Sequence, residues 1–392
     1  MSTTIPSWPS EPEIDARIDR LKANMAQAQL DALILTSQEN VEYYTGFRTL
    51  FWVSNSRPML AVVRPDTDGI SLVMSGIERH NEYYGRNANI HTAFYSGFID
   101  VAIETTAACL DGLPSGAVIG FDYGPDMFGR GSIALIDLLR QEPKNFRLTD
   151  AADLIWNQRL VKTEREIESK RTVCKIATDA YFAGLGDLSL GITEYEYGQL
   201  LKQRLIGLGA DTVDWLPVRF QREVKSPTQP NNDTKLEVDD FIWVDIGARR
   251  GDSISDLNRV TKVGKATAEQ EKLYQFVREV TLRVAEGIRP GMTGGDVFSM
   301  YQEIWSARNV APSGLTPGAG RVGHGSGAGA TEPPSLMPGS TEIILENMIL
   351  HVEPKLVAAD GVFEVEEVIR VRSDGVEFLT ELSPEKLPVL EL

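Results

Sequence analysis

Phe241-Ile-Trp-Val-Asp-Ile-Gly-Ala-Arg-Arg-Gly-Asp-Ser-Ile-Ser-Asp-Leu-Asn-Arg-Val260 decides how this chain is read. Apolar strand formers flank a polar Arg-Arg-Gly-Asp centre, the pattern of two strands joined by a turn. A turn centred between Arg250 and Gly251 sets Asp245 directly opposite Asp256 in an antiparallel pair. Their Cβ atoms would lie roughly 5 Å apart on one face. Like charges that close are costly unless something positive lies between them. Two divalent metal ions about 3.5–4 Å apart fit such a gap.

A second segment repeats the device. Ile349-Leu-His-Val-Glu-Pro-Lys-Leu356 and Val362-Phe-Glu-Val-Glu-Glu-Val-Ile369 flank Ala359-Asp360-Gly361, a Gly-containing turn of the hairpin kind. An even-membered turn puts Glu353 and Glu366 on one face, opposite or diagonal, with Glu367 pointing away. An odd-membered turn selects Glu367 instead. Acids are poor strand formers, so their presence among Trp, Val, Ile and Phe favours a site over solvated turns.

The remaining composition sets bounds. A length of 392 residues implies two or three domains. A hydrophobic content of 42% supports a sizeable core. The net charge of −17 argues against nucleic acid as a partner, which wants a basic face. No apolar run approaches the length of a membrane span. The start, Met1-Ser-Thr-Thr-Ile-Pro-Ser-Trp-Pro9, lacks a basic region followed by an apolar one, so a cytoplasmic location is expected. Cys109 and Cys174 read as small buried hydrophobes without a disulfide.

Along the chain, residues 1–12 are Pro- and Ser-rich and read as an arm. Ile14, Ile18, Leu21 and Met25 recur at helical spacing. Strands are expected at Leu30–Thr36, Pro58–Arg64, Ile70–Met74 and Ala117–Asp122, with helices at Asn40–Gly46, Ile99–Leu110 and Ser132–Leu139. That alternation implies an α/β layer. Thr163 with Glu166 forms a capping box opening a long helix, so the domain boundary is placed at Asn157, dividing the chain into 1–157 and 158–392. Helices near 165–186, 193–208, 267–287 and 294–308 alternate with strands near 215–221, 241–248, 254–263, 348–357 and 363–372. Two helix–strand halves, each carrying an acidic hairpin, imply a pseudo-symmetric repeat in an α+β fold. Gly314–Gly329 is a glycine-dense loop without a phosphate-loop Gly-Lys-Ser/Thr pattern.

His324 lies in that loop, in Gly323-His-Gly-Ser-Gly327. A histidine held by glycines between two acidic hairpins is a metal-ligand candidate. Asp245, Asp256, His324, Glu353 and Glu366 make an oxygen-rich set with one imidazole. Such a set suits Mn²⁺, Co²⁺, Fe²⁺ or Zn²⁺ better than a cysteine-bound structural zinc. His351, two residues before Glu353 and so on its face, reads as an outer partner of the metal ligands or, in the favoured reading, as a packed core histidine, and His80 and His91 as surface residues.

These motifs resemble the creatinase/prolidase/aminopeptidase P superfamily, the pita-bread metallopeptidases of family M24. The matching residues, in order, are Asp245-Ile-Gly247, Ser255-Asp256 with Arg259, Gly323-His324-Gly325, Glu353-Pro354 and Glu366 with a second acid behind it. Arg17, Leu21, Met25, Asp31-Ala-Leu-Ile-Leu35 and Asn40-Val-Glu-Tyr-Tyr-Thr-Gly46 resemble the creatinase-type N-terminal domain. The resemblance implies an N-terminal creatinase-like α/β domain followed by a pita-bread catalytic domain. It implies two divalent metals, with Asp245 chelating one, Asp256 and Glu366 bridging both, and His324 and Glu353 completing the pair. Glu353 would act as general base, with the metals activating a bridging water.

Two positions depart from the family. Thr331 stands seven residues after His324, and Thr228 seventeen before Asp245, where X-Pro peptidases carry substrate-side histidines. A neutral hydroxyl cannot supply an imidazolium proton. The resemblance also implies a homodimer in which one subunit's N-terminal domain covers the other's site. Phe51, Trp52 and Arg57 suit a substrate-closing patch or ordinary packing, and the arginine could read a carboxylate bidentately. The expected activity is metal-dependent cleavage of an amide in a small X-Pro-type peptide. The same scaffold supports creatinase- or ectoine-hydrolase-like C–N cleavage, lyase chemistry on a sulfonium osmolyte, and non-catalytic members.

Overall fold

The computed structural model describes residues 8–81, 87–125, 127–128, 133–221, 226, 228–307, 320–358 and 361–392. The Ala359-Asp360 turn, the first part of the glycine-dense loop and the first seven residues of the expected arm lie outside them. The chain folds as two compact units, Trp8–Arg159 and Leu160–Leu392.

The first unit opens with the helix Glu11–Gln27, which begins inside the expected arm and buries Ile14, Ile18, Leu21 and Met25. Its sheet runs in the order Ile90–Tyr95, Ile70–Ser75, Leu60–Val63, Ala32–Leu35, Val118–Phe121, Arg147–Asp150. Ala32–Leu35 is parallel to Val118–Phe121 and antiparallel to Leu60–Val63. Buried Asp122 fixes the junction after the first strand, accepting from the Thr36 and Ser37 backbone N–H groups at 2.8 Å and from Asn40 at 3.0 Å. The helix Gln38–Thr45 stops at Gly46, whose φ of +63° is left-handed.

The second unit contains the repeat. Helices Glu164–Gly184 and Glu194–Gly207 precede the strands Val218–Gln221, Phe241–Asp245 and Asn258–Val263, which form a four-stranded sheet with Val389–Leu390. Helices Ala268–Gly287 and Gly294–Ser306 precede a five-stranded sheet ordered Glu332–Ser335, Gly323–Gly325, Ile349–Val352, Glu367–Arg372, Gly375–Phe378. The correspondence extends to backbone detail. All four helices open with a capping box, at Thr163, Thr193, Thr267 and Thr293. Gly191 and Gly291, with φ of +88° and +91°, each precede the second helix of their half. Gly191 N donates to Leu236 O and Gly291 N to Ile344 O. Each half buries its own apolar core beneath its sheet.

The first acidic segment is a hairpin, but its register differs from expectation. Arg250 pairs with Ser253, so Gly251 and Asp252 form the two-residue loop. Gly251, with a φ of +62°, takes the first position of that loop and Asp252 the second. Asp245 therefore pairs with Asn258, and Asp256 lies diagonal to it rather than opposite. Regular pairing also lapses at Ile246 and over Ser255–Leu257, the stretch that carries Asp256. In the second acidic segment, Val352 pairs with Glu367 and Lys355 with Glu364. These two pairs bracket Glu353 and Glu366 and bring them opposite one another, the register of an even-membered turn. Pro354 interrupts the ladder there because it has no N–H to donate.

Among the described residues, no helix is long and apolar enough to cross a membrane. Both cysteines are free, Cys174 buried and Cys109 partly so.

Candidate metal centre

The four acids and His324 converge in the second unit. His324 lies on the strand Gly323–Gly325 and pairs with His351 on its neighbour. Glycine on either side is required by contact: a Cβ at Gly323 would stand 2.1 Å from the His351 carbonyl, and one at Gly325 would stand 1.9 Å from the Pro333 carbonyl. The glycines thus let three backbones close around the imidazole. His324 Nδ1 meets Gly325 O at 2.9 Å, which makes Nδ1 the donor and leaves the Nε2 lone pair free. That Nε2 stands 3.5 Å from Asp256 Oδ2 and 3.6 Å from Glu353 Oε1. Both distances exceed those of N–H···O hydrogen bonds.

The carboxylates are held from behind. Asp245 Oδ2 accepts from the Trp215 indole at 2.8 Å. Glu366 Oε2 accepts from the Asn258 backbone N–H at 2.6 Å, and Glu366 Oε1 meets His351 Nδ1 at 2.7 Å. Arg259 Nη1 donates to the Glu366 carbonyl at 2.7 Å. Glu367 points elsewhere, accepting from the Thr380 hydroxyl and the Ser383 N–H.

Three cations surround the acids. Lys170 is fully buried and donates to Ile254 O at 2.6 Å and Ser326 Oγ at 2.7 Å; burial pushes its pKa down, and Asp256 and Glu366 partly restore it. Lys355 lies 2.9 Å from Glu364 Oε1 and 3.9 Å from Glu353 Oε2. Burial opposes its charge, but Glu364 and Glu353 outweigh it and raise its pKa. Arg321 places Nε 3.7 Å from Glu353 Oε1 and donates from Nη2 to the Thr331 hydroxyl at 3.2 Å.

The electrostatics are those of a site missing positive charge at its centre. Burial raises Asp245, and burial plus the neighbouring carboxylates raises Asp256 and Glu366 well above the ordinary range. Burial pushes Glu353 up to about 7, against the pull of Lys355. Burial lowers His324 to about 3, so its imidazole is neutral and able to act as a ligand. Asp245 Oδ1 and His351 Nε2 are buried without a well-formed hydrogen bond. Orphaned polar atoms of this kind cost about 1–3 kcal/mol each. Asp256, His324, His351 and Glu366 offer ligand atoms all within 4.8 Å of one another. The donor chemistry, the orphaned atoms and the like-charge crowding all fit divalent cations.

Not every expected residue joins the cluster. Thr228 is exposed, its hydroxyl 3.0 Å from Ser226 Oγ. Thr331 is exposed and reaches the acids only through Arg321. Trp52 and Arg57 belong to the first unit, where Trp52 is buried and the Arg57 guanidinium lies 4.5 Å from the Phe98 ring centre. The reading of His351 as core packing needs correction: it is fully buried but bonded to Glu366. Its position two residues before Glu353, on the same strand face, was the available signal. Trp215, Lys170 and Arg321 were not singled out in the sequence, because nothing in local spacing connects them to the acids; Lys355 was not either, although it stands two residues after Glu353.

Comparison with known proteins agrees with this geometry. The profile of metallopeptidase family M24 matches residues 168–375, and that of the creatinase/prolidase N-terminal domain matches residues 17–161. An uncharacterized peptidase of Bacillus subtilis is 24% identical over 380 residues, covering 95% of this chain and all of the relative. An Xaa-Pro dipeptidase of Pyrococcus furiosus is 26% identical over 247 residues, covering 62% of this chain and 69% of the relative. The solved structure of an Xaa-Pro dipeptidase from Bacillus anthracis superposes with a TM-score of 0.81 at 21% identity, covering 96% of this chain and all of that one.

Proposed function

Since this chain belongs to metallopeptidase family M24, we propose that it is a dinuclear metal-dependent hydrolase that cleaves the amide bond before proline in small peptides. The observation that carries the reading is the convergence of Asp245, Asp256, His324, Glu353 and Glu366 on one buried point. Asp245, Asp256, His324, Glu353 and Glu366 would hold the ions, with Asp256 and Glu366 shared between them. When bound, such ions polarise the scissile carbonyl and lower the pKa of a water molecule.

The chain's own groups do the rest. Glu353 takes a proton from the attacking water and returns it to the prolyl nitrogen as the C–N bond breaks. Lys355 and Arg321 flank its two oxygens and keep the carboxylate oriented. Trp215 keeps Asp245 from turning away. Arg321 is partly exposed and has donor capacity beyond Thr331 and Glu353. In this reading it binds the carboxylate of a short peptide, in place of the imidazoles the family carries at Thr228 and Thr331. Substrate contacts by Thr228, Thr331, Trp52 and Arg57 belong to the same proposal, as do a cytoplasmic homodimer and Mn²⁺, Co²⁺, Fe²⁺ or Zn²⁺ as the ions.

The two threonines favour one second reading, C–N hydrolysis of a small non-peptide substrate of the creatine or ectoine kind. The deciding experiment is a screen of X-Pro dipeptides and tripeptides against ectoine, creatine and sulfonium compounds, with each metal added. X-Pro cleavage that disappears in a folded Asp256→Ala protein supports the first reading. Turnover of creatine or ectoine alone supports the second.

A further inference from the structure

The chain has four histidines; His80 and His91 are exposed, and the two buried ones face each other across a strand pair. The His324 and His351 rings are stacked, 8° from parallel with centres 4.9 Å apart. His351 is fully buried, so it was taken out of water at a cost, and an aliphatic or aromatic residue would fill that volume without it. The imidazole is instead directed to a specific partner: its Nδ1 lies 2.7 Å from Glu366 Oε1.

Glu366 therefore has both oxygens anchored. The His351 ring holds Oε1, and the Asn258 backbone N–H, from the other half of the repeat, holds Oε2. A carboxylate fixed in this way has one remaining lone pair on each oxygen, directed by its partners. The stacked face also limits rotation of His324, whose other ring nitrogen is held by Gly325 O. One side chain thus constrains two groups that the proposed function assigns to the metals.

We infer that His351 is a positioning residue of the metal centre, holding the Glu366 carboxylate through Nδ1 and the His324 ring by stacking. The inference rests on the metal-binding part of the proposed function and is independent of the substrate. Outer partners of ligating groups contribute about 10–100-fold in metal affinity when removed. That range is the expected effect here.

The test compares the wild type with H351F, H351N and H351Q. Metal content is measured by elemental analysis, affinity for Mn²⁺ and Co²⁺ by competition calorimetry, and ligand geometry by the visible spectrum of the Co²⁺-loaded protein. H351F keeps a stacked ring but removes the hydrogen bond. It should bind about 10–100-fold more weakly, with an altered Co²⁺ spectrum. In H351N the side-chain N–H takes the place of Nδ1 and can still reach Glu366, so part of the loss should be recovered; a purely structural role would give no such rescue. Wild-type affinity together with an unchanged spectrum in H351F overturns the inference. If H351F does not fold by circular dichroism, H351Q, whose amide falls at the place of Nε2 rather than Nδ1, decides on the same terms. A wild type that binds no metal overturns both the inference and the proposed function. A wild type that binds metal and cleaves no X-Pro bond overturns only the latter.

Discussion

The Trp215 indole N–H donates to Asp245 Oδ2 at 2.8 Å, while Asp245 Oδ1 is buried without a partner. One oxygen is therefore fixed and the other is left facing the acid cluster. Trp215→Phe removes the fixing bond without emptying the site. Metal affinity should fall about tenfold, the lower end for loss of an outer partner. Trp215 is 39% exposed, so the melting temperature of the metal-free protein should move little. Calorimetric titration with Mn²⁺ and thermal unfolding read the two effects separately.

Asp256 is raised by burial and then by Asp245 and Glu353, and in turn raises Glu366. Asp256→Asn keeps the shape and removes one charge. It should abolish peptide cleavage and at least one equivalent of bound metal. It should also raise the melting temperature of the metal-free protein at pH 8, because fewer like charges then share the pocket. A lower melting temperature at that pH would contradict the repulsion described here.

Glu353 also gives a pH dependence with a definite sign. Its folded-state pKa of about 7 lies above the ordinary glutamate value of 4.5. Between those values Glu353 binds more protons in the folded, metal-free protein than in the unfolded chain. His324, lowered in the fold, adds stability over part of the same range, but the contribution of Glu353 falls as pH rises through that window. The raised Asp256 and Glu366 act in the same direction. Chelator-treated protein should melt at a lower temperature at pH 7.5 than at pH 5.5, and added Mn²⁺ should reverse the loss at the higher pH.

Arg321 bridges Thr331 and Glu353 at the edge of the cluster. A guanidinium there should bind a free substrate carboxylate, and charge-assisted hydrogen bonds contribute about 1.5–3 kcal/mol. Arg321→Ala should therefore raise KM for X-Pro dipeptides by about tenfold or more. It should change KM much less for the same peptides carrying a C-terminal amide. Arg321→Lys should recover only part, since a point charge cannot replace a planar fork.

Much of this architecture was legible in the sequence, and the failures are specific. The capping boxes at Thr163 and the acid positions at Asp245, Asp256, Glu353 and Glu366 follow from local pattern. The exact partner of Asp245 did not, because Gly251 falls in the two-residue loop of either register and local pattern does not choose between its two positions. The strands Ile90–Tyr95 and Arg147–Asp150 were missed; both are sheet edges with mixed or half-exposed faces, so neither shows clean alternation. Strands expected to run through 215–221 and 348–357 break at Leu216-Pro217 and Glu353-Pro354. Trp215, Lys170 and Arg321 reach the acids through tertiary packing alone, and a single sequence carries no trace of that.

The repeat in the second unit has a mechanical consequence. Asp245 and Asp256 come from one half, and His324, Glu353 and Glu366 from the other. A cation gripped by all five would act as a rivet across the seam, so prising the halves apart would require ejecting it. Such a ligand stabilises the native state by about 2.7 kcal/mol when present at one hundred times its dissociation constant. The same crowding of acids that raises their pKa values would then keep the loaded protein shut.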